Sequence, residues 1–199
     1  MAAGEWVVLG VIVLALLWAA VVLRRLRRLH RSVEKAYAQM DVQLQRRYAF
    51  IPQWVDVARV YLPQETATLE CVARACREAQ GAASTARLHP GQPGTMGALT
   101  MAEQGLSRQL EPLHRLVAAS PGLGADVHMQ QLREAIADAE RHIGFARQHY
   151  NDQVLRYNDH AGGFPDLLVA RLMGFAPLDI LAVSPGERSG GAAPVPQPL

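Results

Sequence analysis

From Trp6 to Leu23 no side chain is charged, and nearly every residue is Val, Leu, Ile or Ala. As a helix, at about 1.5 Å of rise per residue, this run reaches roughly 27 Å, close to the hydrocarbon thickness of one bilayer. Trp6 and Trp18 are amphipathic aromatics, and Trp6 is placed for an interface belt. Directly behind the run stand Arg24, Arg25, Arg27, Arg28 and Arg31. A cleaved signal peptide carries its positive charge before the apolar stretch, yet Met1 to Glu5 holds no Lys or Arg. The segment therefore reads as a single-pass transmembrane anchor. Positive charge stays on the cytoplasmic side, which puts residues 1–5 outside and the bulk of the chain in the cytoplasm. The five arginines also meet anionic head groups, at about 1 kcal/mol each near the surface. The lipid bilayer is thus the first expected partner.

The remainder is helical in composition. Half of the 199 residues are apolar but only 6% are aromatic, and Ala, Leu, Gln and Arg dominate. A net charge of +2 is too small to argue for nucleic acid. Cys71 and Cys76 diverge by roughly 140° on a helix, so they cannot bridge each other, and no CxxC motif is present. They read as small core residues.

Apolar residues recur in steps of three and four at Leu26, Leu29, Val33, Tyr37, Met40, Leu44, Tyr48 and Ile51. The first helix thus continues out of the membrane without a break. Pro52 lacks an amide hydrogen and its ring crowds the carbonyl of Tyr48, predicting a kink. The stripe resumes at Trp54, Val55, Ala58 and Tyr61, so the helix bends there and ends near Leu62-Pro63. A second helix carries Leu69, Val72, Cys76, Ala79 and Ala83; a loop is expected over Arg87 to Gly97. A third carries Leu99, Ala102, Leu106, Leu110, Leu113 and Val117, with Pro112 inside it. Ser120 to Gly124 reads as a turn. The fourth helix has the longest heptad-like stripe, from Met129 through Ile136, Ile143, Tyr150 and Val154 to Tyr157. Four such helices on short connections predict an all-α, antiparallel up-down four-helix bundle over 24–163. Its last helix descends to the bilayer and delivers 164–183, an apolar segment that either lies on the membrane or caps the bundle base. Residues 184–199 read as a disordered tail.

Two stretches resemble a known family. Asp41 to Val55, DVQLQRRYAFIPQWV, is similar to the LemA-family signature of Asp-Val-Gln-Leu, two arginines and a later Ile-Pro. Ala146 to Asn158, ARQHYNDQVLRYN, followed by Phe164-Pro165, resembles its C-terminal half with paired Tyr-Asn dipeptides. Ala49, Gln53 and Gly124 stand where the family carries an acidic residue, Asn and Lys, so no role of those side chains is carried over. The resemblance implies a membrane-anchored antiparallel four-helix bundle and supplies no reaction. It also links the chain to proteins of membrane remodelling.

Arg46 and Arg47 sit about as far above the membrane as Glu140 on the descending helix. Arg46 or Arg47 is therefore expected to meet Glu140 or Asn151. Asn151 and Asn158, seven apart, share one face, as do Tyr150 and Tyr157. These groups read as a polar layer that fixes the register of the bundle, with a ligand or partner site as the alternative. One Glu-x-x-His pair, Glu111 and His114, has no second copy, and His142 and His149 lack acidic partners; no metal or cofactor is expected. No catalytic constellation and no small-molecule substrate are evident. The expected function is a non-enzymatic, membrane-anchored scaffold that binds another membrane protein or a second copy of itself. The alternative is a membrane-remodelling protein acting through the arginine belt and 164–183.

Overall fold

A computed structural model describes residues 2–182. Regular structure among these residues is helical throughout. Helix α1 runs from Ala2 to Tyr61 and passes through Pro52 without ending. A short 3-10 turn, Pro63–Glu65, leads into α2, Thr66–Leu88. Then follow α3, Pro93–Ala119, and the short α4, Pro121–Ala125. The chain descends through α5, Val127–Gly162, and closes with α6, Asp166–Leu172.

Two connections differ from expectation. The loop expected over Arg87 to Gly97 shrinks to a tight turn, because α2 continues to Leu88 and Pro93 opens α3 at its first position, where a missing amide costs nothing. The turn keeps Gly91 at φ +83, a conformation that suits glycine. Ser120 to Gly124, expected as a turn, winds into α4 behind Pro121 for the same reason. Pro112 lies inside α3 without ending it.

The upper part of α1 is the wall on which the others assemble. It packs against α5 and α2, while α3 packs on α2. The pairing along α1 and α5 is antiparallel: His30, Tyr37 and Trp54 face Tyr157, Tyr150 and Met129 in turn. At the far end Tyr61 donates to Asp126, which also caps α5 by accepting from the Met129 amide at 2.8 Å. Along α2 the order is antiparallel too, with the Tyr37 hydroxyl on the Ala83 carbonyl and Cys76 beside the Tyr48 carbonyl. Alanines at 79, 83 and 86 keep that face flat and fully buried. Helix α3 makes no comparable contact with α5, and an open groove separates them.

Among the described residues one helix, the first, is long and apolar enough to cross a membrane, and its residues from Trp6 to Leu17 are exposed where they are large. Val22 and Leu26 are the first to be buried. Helix α6 packs beside them, with Asp166 3.9 Å from Arg25. The segment 164–183, expected either on the membrane or beneath the bundle, is divided between two courses. Its first part forms α6 at the level of the arginines. The chain turns at Met173 and Gly174, and from Phe175 to Ala182 it is extended and climbs along α5. The expected disordered tail, 184–199, lies outside the described residues.

Candidate functional site

Glu103 of α3 closes the first polar cluster. The Arg47 Nη2 and the Tyr48 hydroxyl both donate to its carboxylate, one to each oxygen. Adjacent residues of α1 can converge because Tyr48 enters the core stripe while Arg47 flanks it; Arg47 is only 5% exposed. Burial works against the arginine charge, but Glu103, Tyr48 and Glu140 together raise its pKa above the ordinary value. Burial and the neighbouring carboxylate push the Tyr48 hydroxyl well above the usual tyrosine range. The Arg47 Nε is buried with no hydrogen-bond partner among the described residues.

This arrangement adds a partner that the sequence reading did not name. Arg47 takes Glu103 of α3 as its carboxylate partner, while Glu140 lies close enough to act through space and lines the groove. Arg46, one position away, is exposed on the outside of α1. Neither arginine bonds Asn151.

The two asparagines do something else. Asn158 donates to the Leu178 carbonyl at 2.8 Å and accepts from the Leu178 amide at 2.9 Å. Asn151 repeats the pattern on Leu181, at 3.1 and 2.9 Å. The tyrosine before each asparagine joins in, Tyr157 donating to the Ala176 carbonyl and Tyr150 to the Asp179 carbonyl. The paired Tyr-Asn dipeptides thus form a ladder that holds an extended strap by its backbone. Leu178 also seats against Gly91, whose carbonyl accepts from the Asp179 amide at 2.8 Å; a Cβ on Gly91 would lie 3.0 Å from Leu178. The strap therefore fills the foot of the space between α5 and the α2–α3 turn, at the end nearer the arginines.

Above the strap the α3–α5 groove stays open, with a volume of about 750 Å³. Arg47 and Leu44 of α1 form its floor, Leu110 and His114 one wall, and Glu140 and Gly144 the other. Among the described residues no group of three or more His, Cys, Asp or Glu is placed to share a metal ion. His114 and Glu111 both line the groove; the His114 ring lies 4.7 Å from that of Trp54.

At the base, Arg24, Arg25, Arg27, Arg28 and Arg31 are all exposed. Beside them Phe164, just before α6, and Leu168 and Leu172 within it are 86%, 60% and 81% exposed, while Val169 and Ala170 of α6 are buried. Helix α6 thus turns one apolar edge into the core and another outwards.

Residues 36–194 match the model of the LemA family. The match takes in most of the chain, which belongs to that family. No curated protein matches it.

Proposed function

We propose that this member of the LemA family is a non-enzymatic scaffold, held in the membrane by a single pass over residues 6–23. In this reading residues 1–5 lie outside, and the helices form an up-down bundle on the cytoplasmic side whose first helix bends at Pro52. The observation that carries it is the continuity of α1. One helix provides both the apolar stretch and the wall on which α2 and α5 pack, so a load on the bundle is transmitted to the anchor. The five exposed arginines at the junction support the orientation. The partner is another membrane protein or a second copy of the chain. Capturing the tagged full-length protein from solubilised native membranes tests this. One defined protein, or an untagged copy of the chain, is expected in stoichiometric yield; recovery of nothing beyond what residues 1–31 alone retain would refute the scaffold.

A second reading is favoured by the outward edge of α6. Phe164, Leu168 and Leu172 stand level with Arg25, where head groups meet acyl chains, so arginines and apolar side chains can engage one leaflet together. The protein would then shape or mark the membrane surface. Reconstituted into anionic vesicles, the full chain should change vesicle curvature, and replacement of the three residues by Ser should abolish the change. Vesicles unaltered by the parent protein would discard this reading and leave the scaffold untouched.

A further inference from the structure

The five arginines at the base do not stand equally. Trp18, Val21, Arg25 and Arg28 follow one another in steps of three and four, so they share one face of α1. With Arg24 beside them and Val22 at the floor, they line a cleft of about 530 Å³ whose opposite wall is Asp166, the first residue of α6. Arg27 and Arg31 do not line it. We propose that this cleft is a discrete site for one phospholipid, an anionic one whose head group carries hydroxyl donors, with phosphatidylglycerol as its simplest form. The site rests on the single-pass reading, which sets these residues at the head-group layer, and it deepens that reading from a general attraction to a defined ligand.

Three features of the cleft select that occupant. The first is its division by polarity. Arg24, Arg25 and Arg28 crowd one end, and the exposed Trp18 and Val21 form the other, with Val22 buried between them. Trp18 and Arg25 are seven residues apart, about 10 Å along a helix. That is more than the roughly 5–8 Å which the polar layer of one leaflet adds to the hydrocarbon. A lipid seated here meets guanidinium groups at its phosphate and apolar side chains where its acyl chains begin. The second feature is charge. Three guanidinium groups against one carboxylate leave the cleft positive, and arginine grips a phosphate with paired N–H donors. A zwitterionic head group would leave that excess unmatched. The third is Asp166. Its side chain is only 15% exposed, and its carboxylate stands 3.9 Å from the Arg25 Nη1, too far for a hydrogen bond. Among the described residues nothing donates a hydrogen bond to it. This carboxylate repels a bare phosphate monoester, whereas a head-group hydroxyl beyond the phosphate can donate to it. The cleft thus reads the phosphate and the group attached to it, which an undifferentiated belt of arginines does not.

Native mass spectrometry of the detergent-purified full chain, titrated with phosphatidylglycerol, tests the proposal. One molecule is expected to stay bound under collisional activation that strips further copies. Arg25→Gln with Arg28→Gln should weaken its binding about fivefold for each guanidinium removed. Arg27→Gln with Arg31→Gln removes the same charge outside the cleft and should leave the binding unchanged. All four arginines are exposed, so circular dichroism should report an intact fold for both pairs. Equal losses in the two pairs would reduce the site to a charge belt and overturn the proposal. Phosphatidylethanolamine or phosphatidylcholine retained as well as phosphatidylglycerol would overturn it too. Phosphatidic acid should bind the parent chain more weakly than phosphatidylglycerol, and Asp166→Asn should erase the difference; a ratio that Asp166→Asn does not move would defeat the selection by Asp166. Replacement of Phe164, Leu168 and Leu172 by Ser, which tests the curvature reading, should leave the lipid in place. Release of the parent chain from membranes by alkaline carbonate would refute the anchor itself, an outcome separate from loss of the lipid.

Discussion

Burial opposes the charge of Arg47, and what offsets it lies on two other helices. Glu103 supplies the compensating carboxylate and Glu140 adds to it through space. Removal of only one partner leaves a buried charge unmatched. Glu103→Ala is therefore expected to cost about 3–5 kcal/mol in urea unfolding of the detergent-solubilised chain, followed by circular dichroism. Replacing both partners, Arg47→Met with Glu103→Leu, should recover most of that loss, because no orphaned charge remains. The tyrosines carry a pH signature. Burial holds the hydroxyls of Tyr37, Tyr48 and Tyr150 above the ordinary value of about 10. With a folded-state pKa above the unfolded one, their contribution is complete below pH ~10 and declines as pH rises beyond it. Absorbance at 295 nm should show these tyrosines ionising together with loss of helical signal above that pH. Smooth ionisation of all five tyrosines at pH ~10 with the helices intact would contradict the burial. The sequence placed Arg47 at the height of Glu140 but could not identify its partner. Counting residues along antiparallel helices measures height alone. Glu103 and Glu140 reach the same level on different helices, and azimuth around α1 decides which of them Arg47 meets.

Helical elements were legible because their apolar period is 3.6. The stripe from Val33 through Tyr37, Met40, Leu44 and Tyr48 to Ile51 is buried, as are Leu69, Val72, Cys76, Ala79 and Ala83 of α2. Tyr61, placed by the same stripe, is instead exposed, with its hydroxyl turned to Asp126 at the start of α5. The strap escaped notice since it follows neither a helical nor a strand period. Phe175, Leu178 and Leu181 pack inwards at every third residue, the period of a polyproline-II-like chain. That repeat, beside Pro177 and opposite two Tyr-Asn dipeptides spaced by seven, was the available signal. Asn151 was expected, as an alternative to Glu140, to meet Arg46 or Arg47; both asparagines instead serve backbone, which has no sequence of its own to read. Each Asn satisfies both polar groups of one strap residue, so Asn158→Ala orphans an amide and a carbonyl. Hydrogen–deuterium exchange at the Leu178 amide should accelerate by one to two orders of magnitude, as expected for loss of ~1–3 kcal/mol of local protection. Exchange in α2 should not change. Equal acceleration everywhere would show that the strap is part of the global fold instead of a separately held element.

At the scale of the whole molecule, the proposed single-pass anchor gives the apolar run and the arginines separable tasks. Residues of the run contribute a few tenths of a kcal/mol each to insertion when they are Leu, Ile, Val or Phe. Summed over the stretch, this is the term that the proposed anchor rests on. Five surface arginines attract anionic head groups, but that attraction is screened by salt and alone gives reversible binding. In the proposed topology their lasting effect is on direction, since arginines resist translocation. Replacing Arg24, Arg25, Arg27, Arg28 and Arg31 by Gln should therefore leave the protein in the membrane pellet after washes with high salt and with alkaline carbonate. It should, however, erase the bias in orientation. A reporter fused after Leu199 should be found on the cytoplasmic side in the parent chain and on both sides in the variant. Release of the variant by salt would assign anchoring to the arginines. A fixed orientation in the variant would place the topological information elsewhere; Asp166 beside Arg25 and the buried packing of Val22 and Leu26 against α6 would then be the contacts that set it.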